Sequence, residues 1–599
     1  MCSRVFNPFG VVGTAGTRGS SPCVAASSRT CYLAAATVTS TLRKSDVTLL
    51  TLSGPLRDDA EGGRESDVMT STSTALPWRR TPQHDPQRYV AAGWWSERTA
   101  LTRYETTVRR NPDGLAVLDD RGSRRTHARL WADSGALADE LGRYGVAARS
   151  VVLMHLPNVV EWQVLLLACL RLGAVPASLP VKTDLDTLTY IVGSVEPAAV
   201  VSQSGALAEL ASTAVAESAS SAAVLVVDAA GEWQCLAPGR PAGRPAPAGV
   251  DHVMFTSSTT GRPKCVAHSE QTLGAVNAAF AERFSLGAED ALFMPSPLGH
   301  SVGAWHGGRL ALWTGAPLIV QDKWDPQLAA RLLGEHRCAF TAAATPFLTD
   351  LVHADAPAGT RFGALRTFLC GGAPVPPTLV TAAEAESPGT LFSVLWGMTE
   401  GGVTTCRPDS PAELRTSTAG LPLPGLELRI VTASGRTAQP GEEGELAMRG
   451  PGVCLGYVGQ DDLFDDLLTD DGYFRTGDLA TVGEDGYLRV TGRLKDLIIR
   501  GGVNISPLPI EDALAAHPHV RSVAVIGVPD DRLGERLGAV VSTDGATLSL
   551  DDVCRWVDEY GLSRRQWPEQ LFTVDEMPRT AAGKIKKLDL KKTLTGGAA

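Results

Sequence analysis

Several things are scarce in this chain of 599 residues, and each scarcity removes a class of function. No apolar run approaches the roughly 20 residues of a membrane-spanning helix; the longest, Val164 to Leu170, stops far short. Paired cysteines are missing. The eleven cysteines are scattered, with no C-x-x-C pair and no metal-ligand spacing, which reads as reduced, core-filling thiols in a cytoplasmic protein. A basic excess is missing as well: the net charge of -11 offers no footprint for nucleic acid. No Ser/His/Asp or Cys/His pattern suggests a covalent nucleophile. Finally, no acidic residue occurs before Asp46, in a stretch rich in Ser, Thr, Gly and Ala. Residues 1–80 therefore read either as a disordered or transit-like extension or as the product of a start codon set too early, with Met69 beginning the protein proper. In both cases they are expected to carry no catalysis.

What is present is an ordinary globular composition, 44% hydrophobic and 20% charged, in a chain too long for a single core. Helical and strand patterns alternate from about Trp94. A helix is predicted over Arg98 to Arg109, a strand over Gly114 to Asp119 and a helix over Thr126 to Tyr144, whose Leu130, Leu137, Ala138 and Leu141 share one face. A buried strand, Val151 to His155, and a helix, Val159 to Leu172, follow. This alternation predicts an α/β fold of mostly parallel, helix-covered sheets. Ala237 to Gly249 reads as a loop feeding a strand at Val253 to Thr256. After Gly492 the pattern becomes a compact α+β unit, with strands Val523 to Gly527, Gly538 to Ser542 and Gln570 to Val574 and a helix Leu550 to Tyr560. The predicted division is a large N-terminal domain over 81–492, a hinge over 493–495 and a small mobile domain over 496–599.

Six clusters carry the chemistry. The first, Phe255 to Lys264, holds Thr256, Ser257, Ser258, Thr259, Thr260 and Gly261 before Lys264. Hydroxyls and backbone N–H groups in such a loop can wrap phosphate oxygens while the lysine neutralises charge, although alone it reads equally as a polar surface loop. The second, Trp396, Gly397, Met398, Thr399 and Glu400, sets a carboxylate beside a hydroxyl, suited to a magnesium ion and a phosphate; a lone Thr-Glu pair is more often a helix cap. In the third, Tyr473 to Asp478, the carboxylate of Asp478 can accept from both hydroxyls of a ribose. Gly492 to Asp496 supplies Arg493 and Lys495, and Arg500 to Asn504 supplies Gly501 and Gly502, where backbone can approach a ligand closely. Pro578 to Lys584 ends in a lysine that, by spacing alone, belongs to a solvated charge run.

In this order the six clusters resemble the adenylate-forming, acyl-activating superfamily, and Ser296 to His306, Gln321 to Pro326 and Ile498 to Ile505 look most like its medium-chain and cyclohexanecarboxylate CoA-ligase branch. The resemblance covers about Arg98 to Lys592. It implies an enzyme that uses ATP and Mg2+ to convert a small carboxylic acid to an acyl adenylate. The acyl group then passes to the thiol of coenzyme A or of a phosphopantetheinyl carrier protein. It implies Thr256 to Gly261 and Lys264 as the phosphate loop, Glu400 as magnesium ligand beside Thr399, and Trp396 and Gly397 at the adenine. Gly371, Gly372 and Ala373 would line the adenine and acyl pockets, and Asp478 and Arg493 would hold the ribose. Lys584 becomes the mobile catalytic lysine, Lys495 the hinge, Gly501 and Gly502 the thiol path, and His300 the gate of the acyl tunnel.

No acid occurs from Met294 to Gln321, so a substrate ammonium would lack a partner, which disfavours an amino acid and leaves a medium-chain, alicyclic or aromatic acid. No carrier-protein pattern follows Lys592, so a free-standing enzyme is expected. Ser258 and Cys265 stand where the family has glycines; either would be strained if the position needs a left-handed backbone. These departures leave room for a non-catalytic adenylate-binding protein, against which the retention of Lys264, Glu400, Asp478, Arg493 and Lys584 weighs.

Overall fold

A computed structural model describes residues 84–239, 243–256, 262–357, 359–372, 375–579 and 584–596, all within one compact unit, Thr74–Ala599. The amino-terminal 80 residues discussed above lie outside the described residues.

Two large sheets form the body. In one, strands Val175–Ser178, Val151–His155, Ala199–Gln203 and Ala223–Val227 run parallel beside His252–Thr256, and antiparallel strands close both edges. In the other, Leu391–Met398, Thr367–Gly371, Phe340–Ala344, Leu292–Met294, Leu318–Val320 and Leu115–Asp119 are parallel, again with antiparallel edges. The helix Val160–Leu172 explains how they hold together. Its residues from Val160 to Cys169 are all buried, so it has no solvated face and packs on every side. It lies in the largest core cluster, which draws Met154 and Val201 from one sheet and Leu292, Leu318 and Phe340 from the other. Helix His127–Arg143 starts at Thr126, whose side chain accepts from the Arg129 amide, and buries Leu130, Leu137, Ala138 and Leu141 in the same cluster.

The mixed α/β architecture is the expected one, a large body of parallel sheets with a small C-terminal α+β unit. A further layer departs from the mostly parallel expectation. Glu427–Val431, Gly444–Arg449, Phe474–Val482 and Leu488–Arg493 form a four-stranded antiparallel sheet. Connections such as the turn between Val482 and Leu488 are too short for the crossover a parallel pair needs. It ends at Arg493, and a 3-10 turn, Leu494–Asp496, leads into the C-terminal sheet of Val503–Ile505, Ile498–Arg500, Gly534–Thr543, Val520–Asp530 and Gln570–Thr573.

Because Leu165 is fully buried in the helix shared by both sheets, Leu165→Ala should cost about 2–5 kcal/mol. Chemical denaturation reads this as a lower midpoint, and an unchanged midpoint would contradict the packing described.

Candidate functional site

The first cluster folds as a hairpin. Strand His252–Thr256 pairs antiparallel with Lys264–His268, and Thr256 is the partner of Lys264 at its mouth. Ser257, Ser258, Thr259, Thr260 and Gly261 lie outside the described residues. Cys265 does not adopt a left-handed backbone: it is a buried strand residue paired with Phe255. The amide of Val458 donates to its carbonyl at 2.8 Å. A side chain at this position is therefore accommodated without backbone strain.

Lys264 and Glu400 meet through a residue that the sequence reading did not single out. Tyr457 sits on the two-residue strand Gly456–Tyr457, added to the hairpin's outer edge. Its hydroxyl donates to Glu400 Oε1 at 2.7 Å and accepts from Lys264 Nζ at 3.2 Å, while the Lys264 ammonium lies 4.9 Å from its ring centroid. Burial, reinforced by the Glu400 carboxylate, raises the phenol above its ordinary value, so it keeps the proton it donates. Glu400 itself occupies the turn between Leu391–Met398 and Gly401–Thr405. Gly401, at φ 99°, makes that turn possible; a Cβ there would stand 2.2 Å from the Gly452 carbonyl oxygen. Thr399, also buried, contacts Ser301 Oγ through its hydroxyl at 3.4 Å.

Asp478 is buried on Phe474–Val482 and is the cross-strand partner of Arg493. Its Oδ1 accepts from Arg493 Nε at 2.7 Å and its Oδ2 from the indole N–H of Trp396 at 2.8 Å. A carboxylate has about four acceptor positions, so two remain for further donors such as a pair of vicinal hydroxyls. Trp396 packs into the core formed by Ile430, Leu446, Met448 and Phe474. Gly397 follows it in the same strand.

Lys584 joins this group from the C-terminal unit. A Cβ built on Gly372 would stand 3.6 Å from Lys584 Cε, and Gly372 itself, at φ 84°, follows Gly371 at the end of Thr367–Gly371. Ala373 lies outside the described residues. Although Lys584 keeps solvent contact, the protein crowded around it lowers its pKa, and the Arg493 and Lys495 charges lower it further against the pull of Asp478 and Glu400. Lys495 is exposed on the 3-10 turn, yet partial desolvation by the surrounding protein and then the Arg493 charge lower its pKa, with Lys264 adding to the effect. His300 caps the short turn Ser301–Gly303, and burial, then the charge of Lys584, lowers it to about 4, so it is neutral at physiological pH.

The structure thus gathers Lys264, Arg493, Lys495 and Lys584 around Asp478, Glu400 and Asp496, with neutral His300 beside them. The balance is cationic, and the charges converge from four separate elements, as a polyanion site requires. Glu400 offers the carboxylate for a magnesium ion, whose other ligands would be phosphate oxygens and water; such a donor set fits that ion's habit. Gly501 and Gly502 form the exposed turn between Ile498–Arg500 and Val503–Ile505, at φ 58° and 81°. Arg500 is engaged there with Glu569 at 2.8 Å.

A model of the AMP-binding enzyme family matches residues 104–458, and one of the AMP-binding enzyme C-terminal domain matches residues 509–584. The chain belongs to the AMP-binding enzymes. It is 30% identical over 546 residues to a medium-chain fatty-acid–CoA ligase of Escherichia coli, covering 84% of this chain and 92% of that protein. It is 33% identical over 530 residues to a salicyl-AMP ligase / salicyl-S-ArCP synthetase of Mycobacterium tuberculosis, with the same coverage of 84% and 92%. Among solved structures, the ATP-bound MatB of Rhodopseudomonas palustris superposes with a TM-score of 0.73 at 28% identity, over 83% of this chain and 99% of that one. This AMP-binding enzyme is therefore an adenylate-forming protein of the acyl- and aryl-CoA ligase group.

Since Cys265 occupies an extended, buried strand position, Cys265→Gly should lower stability by about 1–2 kcal/mol through lost burial and added backbone freedom. A rise in the thermal midpoint would show instead that the native side chain is strained.

Proposed function

We propose that the enzyme activates a small carboxylic acid with ATP to an acyl adenylate and then transfers the acyl group to the thiol of coenzyme A, releasing pyrophosphate and AMP. The observation that carries this reading is the convergence of Lys584 from the C-terminal unit on Arg493, Asp478 and Glu400. An acid carboxylate and an α-phosphate are both anionic, so their approach needs a cation between them as charge develops. Lys584 supplies it: desolvation and the charges of Arg493 and Lys495 disfavour its ammonium form, so a further anion would stabilise that form.

The remaining roles are those that the family resemblance implies. Thr256, the hydroxyls of Ser257 to Thr260, the backbone of Gly261 and Lys264 hold the phosphates. Asp478 and Arg493 hold the ribose, with Trp396 and Gly397 on the adenine side and Gly371 to Ala373 lining the pocket. Glu400, with Thr399 beside it, orients magnesium, which when bound neutralises phosphate oxygens. Neutral His300 borders the acid without repelling Lys584. Lys495 acts as the hinge between a domain over 81–492 and one over 496–599. Rotation of the smaller domain would withdraw Lys584 and bring Gly501 and Gly502 to the path of the pantetheine arm.

The absence of an acid from Met294 to Gln321 supports a medium-chain, alicyclic or aromatic acid, in keeping with relatives named as medium-chain fatty-acid–CoA ligase and, in Amycolatopsis, feruloyl-CoA synthase. A second acceptor, the thiol of a carrier protein, is favoured by the relative named salicyl-S-ArCP synthetase. We place the enzyme in the cytoplasm, in keeping with the absence of a disulfide among the described residues. Among the described residues no helix is long and apolar enough to cross a membrane.

Incubation with ATP, magnesium, coenzyme A and a panel of carboxylic acids should yield an acyl-CoA by mass spectrometry. Acyl adenylate without acyl-CoA would transfer the acceptor role to a carrier protein. Lys584→Ala should reduce adenylation by roughly 10²–10³-fold while ATP binding persists; undiminished turnover would remove Lys584 from the mechanism.

A further inference from the structure

The segment that begins at His300 continues into a π-helix, Ala304–Arg309, a geometry that is rare and concentrated at functional sites. It is held at both ends by His252 and His268, which are cross-strand partners at the base of the phosphate-loop hairpin. At the far end Arg309, fully buried, donates to both oxygens of Glu270 at 2.6 and 2.7 Å. Its Nη1 also lies 2.7 Å from His252 Nε2. At the near end Trp305 packs edge-on against the His268 ring, with centroids 4.7 Å apart, and its carbonyl accepts from Asn277 Nδ2 at 2.9 Å.

His268 extends this clamp to the metal corner. Its Nε2 is 2.8 Å from the Thr399 carbonyl oxygen, which can only accept, so Nε2 carries the proton. Burial keeps the ring neutral and leaves Nδ1 as an acceptor 3.0 Å from the Thr272 hydroxyl, whose one proton also faces the Ser269 carbonyl at 3.0 Å. One tautomer, fixed by the Thr399 carbonyl, therefore joins the π-helix to the residue immediately before Glu400. Thr399 Oγ1 meets the same segment again at Ser301.

We propose that His268 is a positioning residue that ties the placement of Ser301–Arg309 to the Thr399 carbonyl, and through it aims the Glu400 carboxylate at the magnesium–phosphate corner. The inference rests on the assignment of magnesium to Glu400. It differs from a packing role in what it moves: the arrangement on the acid side of the site sets how well metal and phosphate are held.

The test measures the affinity of the full chain for α,β-methylene ATP by calorimetry, with and without magnesium. His268→Asn, whose amide is too short to reach Thr399, should cut the magnesium enhancement by about tenfold. His268→Gln, which restores an N–H near the Nε2 position, should retain most of it. Trp305→Leu leaves every His268 hydrogen bond in place and should lower the enhancement in the same direction; it decides the matter if the histidine variants fold poorly. A native enhancement in folded His268→Asn or in Trp305→Leu would overturn the link, as would a loss equal with and without magnesium. Glu400→Gln separates the two levels: if it leaves the magnesium effect intact, the metal assignment itself falls.

Discussion

Like charges have to be gathered for this site to exist, and everything else in the fold serves that requirement. Lys264, Arg493, Lys495 and Lys584 come from a hairpin, an antiparallel sheet, a 3-10 turn and the C-terminal unit, and they sit among fewer carboxylates than would neutralise them. Two like charges about 6 Å apart near a protein surface repel by about 3 kcal/mol. No isolated loop would hold such a group together. The force that does is the burial of the helix Val160–Leu172 between two sheets, which fixes the elements before the charges are considered. A bound polyanion would offset this mutual repulsion.

The hairpin His252–Thr256 and Lys264–His268 is the structural centre of the arrangement. Its mouth carries Thr256 and Lys264, its outer edge accepts Tyr457, and its base carries the paired histidines. Lys264, Tyr457 and His268, which reach the candidate site from three directions, thus hang on ten residues of extended backbone and its added edge strand. Tyr457 has a double function here. By donating to Glu400 and accepting from Lys264 it keeps an anion and a cation in place without letting them collapse into a direct ion pair that a ligand would have to break.

How much of this was legible in sequence depends on distance along the chain. The α/β alternation from Arg98 to Leu172 reads correctly because each element declares itself within its own periodicity, and helix His127–Arg143 differs from expectation by a single residue at each end. The site clusters are legible for a similar reason: phosphate, ribose and metal chemistry call for particular residue types within short windows. Asp478 and Arg493 are near enough for one antiparallel pairing to join them. Tyr457 was not legible, since it lies 193 residues from Lys264 and in a Gly-Tyr dipeptide that carries no pattern. The bond from His268 to Thr399 spans 131 residues and was equally hidden. The antiparallel sheet from Glu427 to Arg493 was missed as a separate layer because its strands mix half-buried polar and apolar residues, without the continuous apolar runs that mark the buried parallel strands.

The position of Cys265 has a chemical outcome beyond folding. A cysteine next to the lysine of a nucleotide loop would ordinarily be an oxidation liability, because neighbouring cations favour the reactive thiolate. Here the side chain points into the sheet core, and burial pushes the thiol up to about 12, so it remains protonated at neutral pH. Peroxide and alkylating agents attack thiolates, and this one is both uncharged and inaccessible. The Cys265 thiol is thus a packing group, and it adds no reactive sulfur to this hairpin.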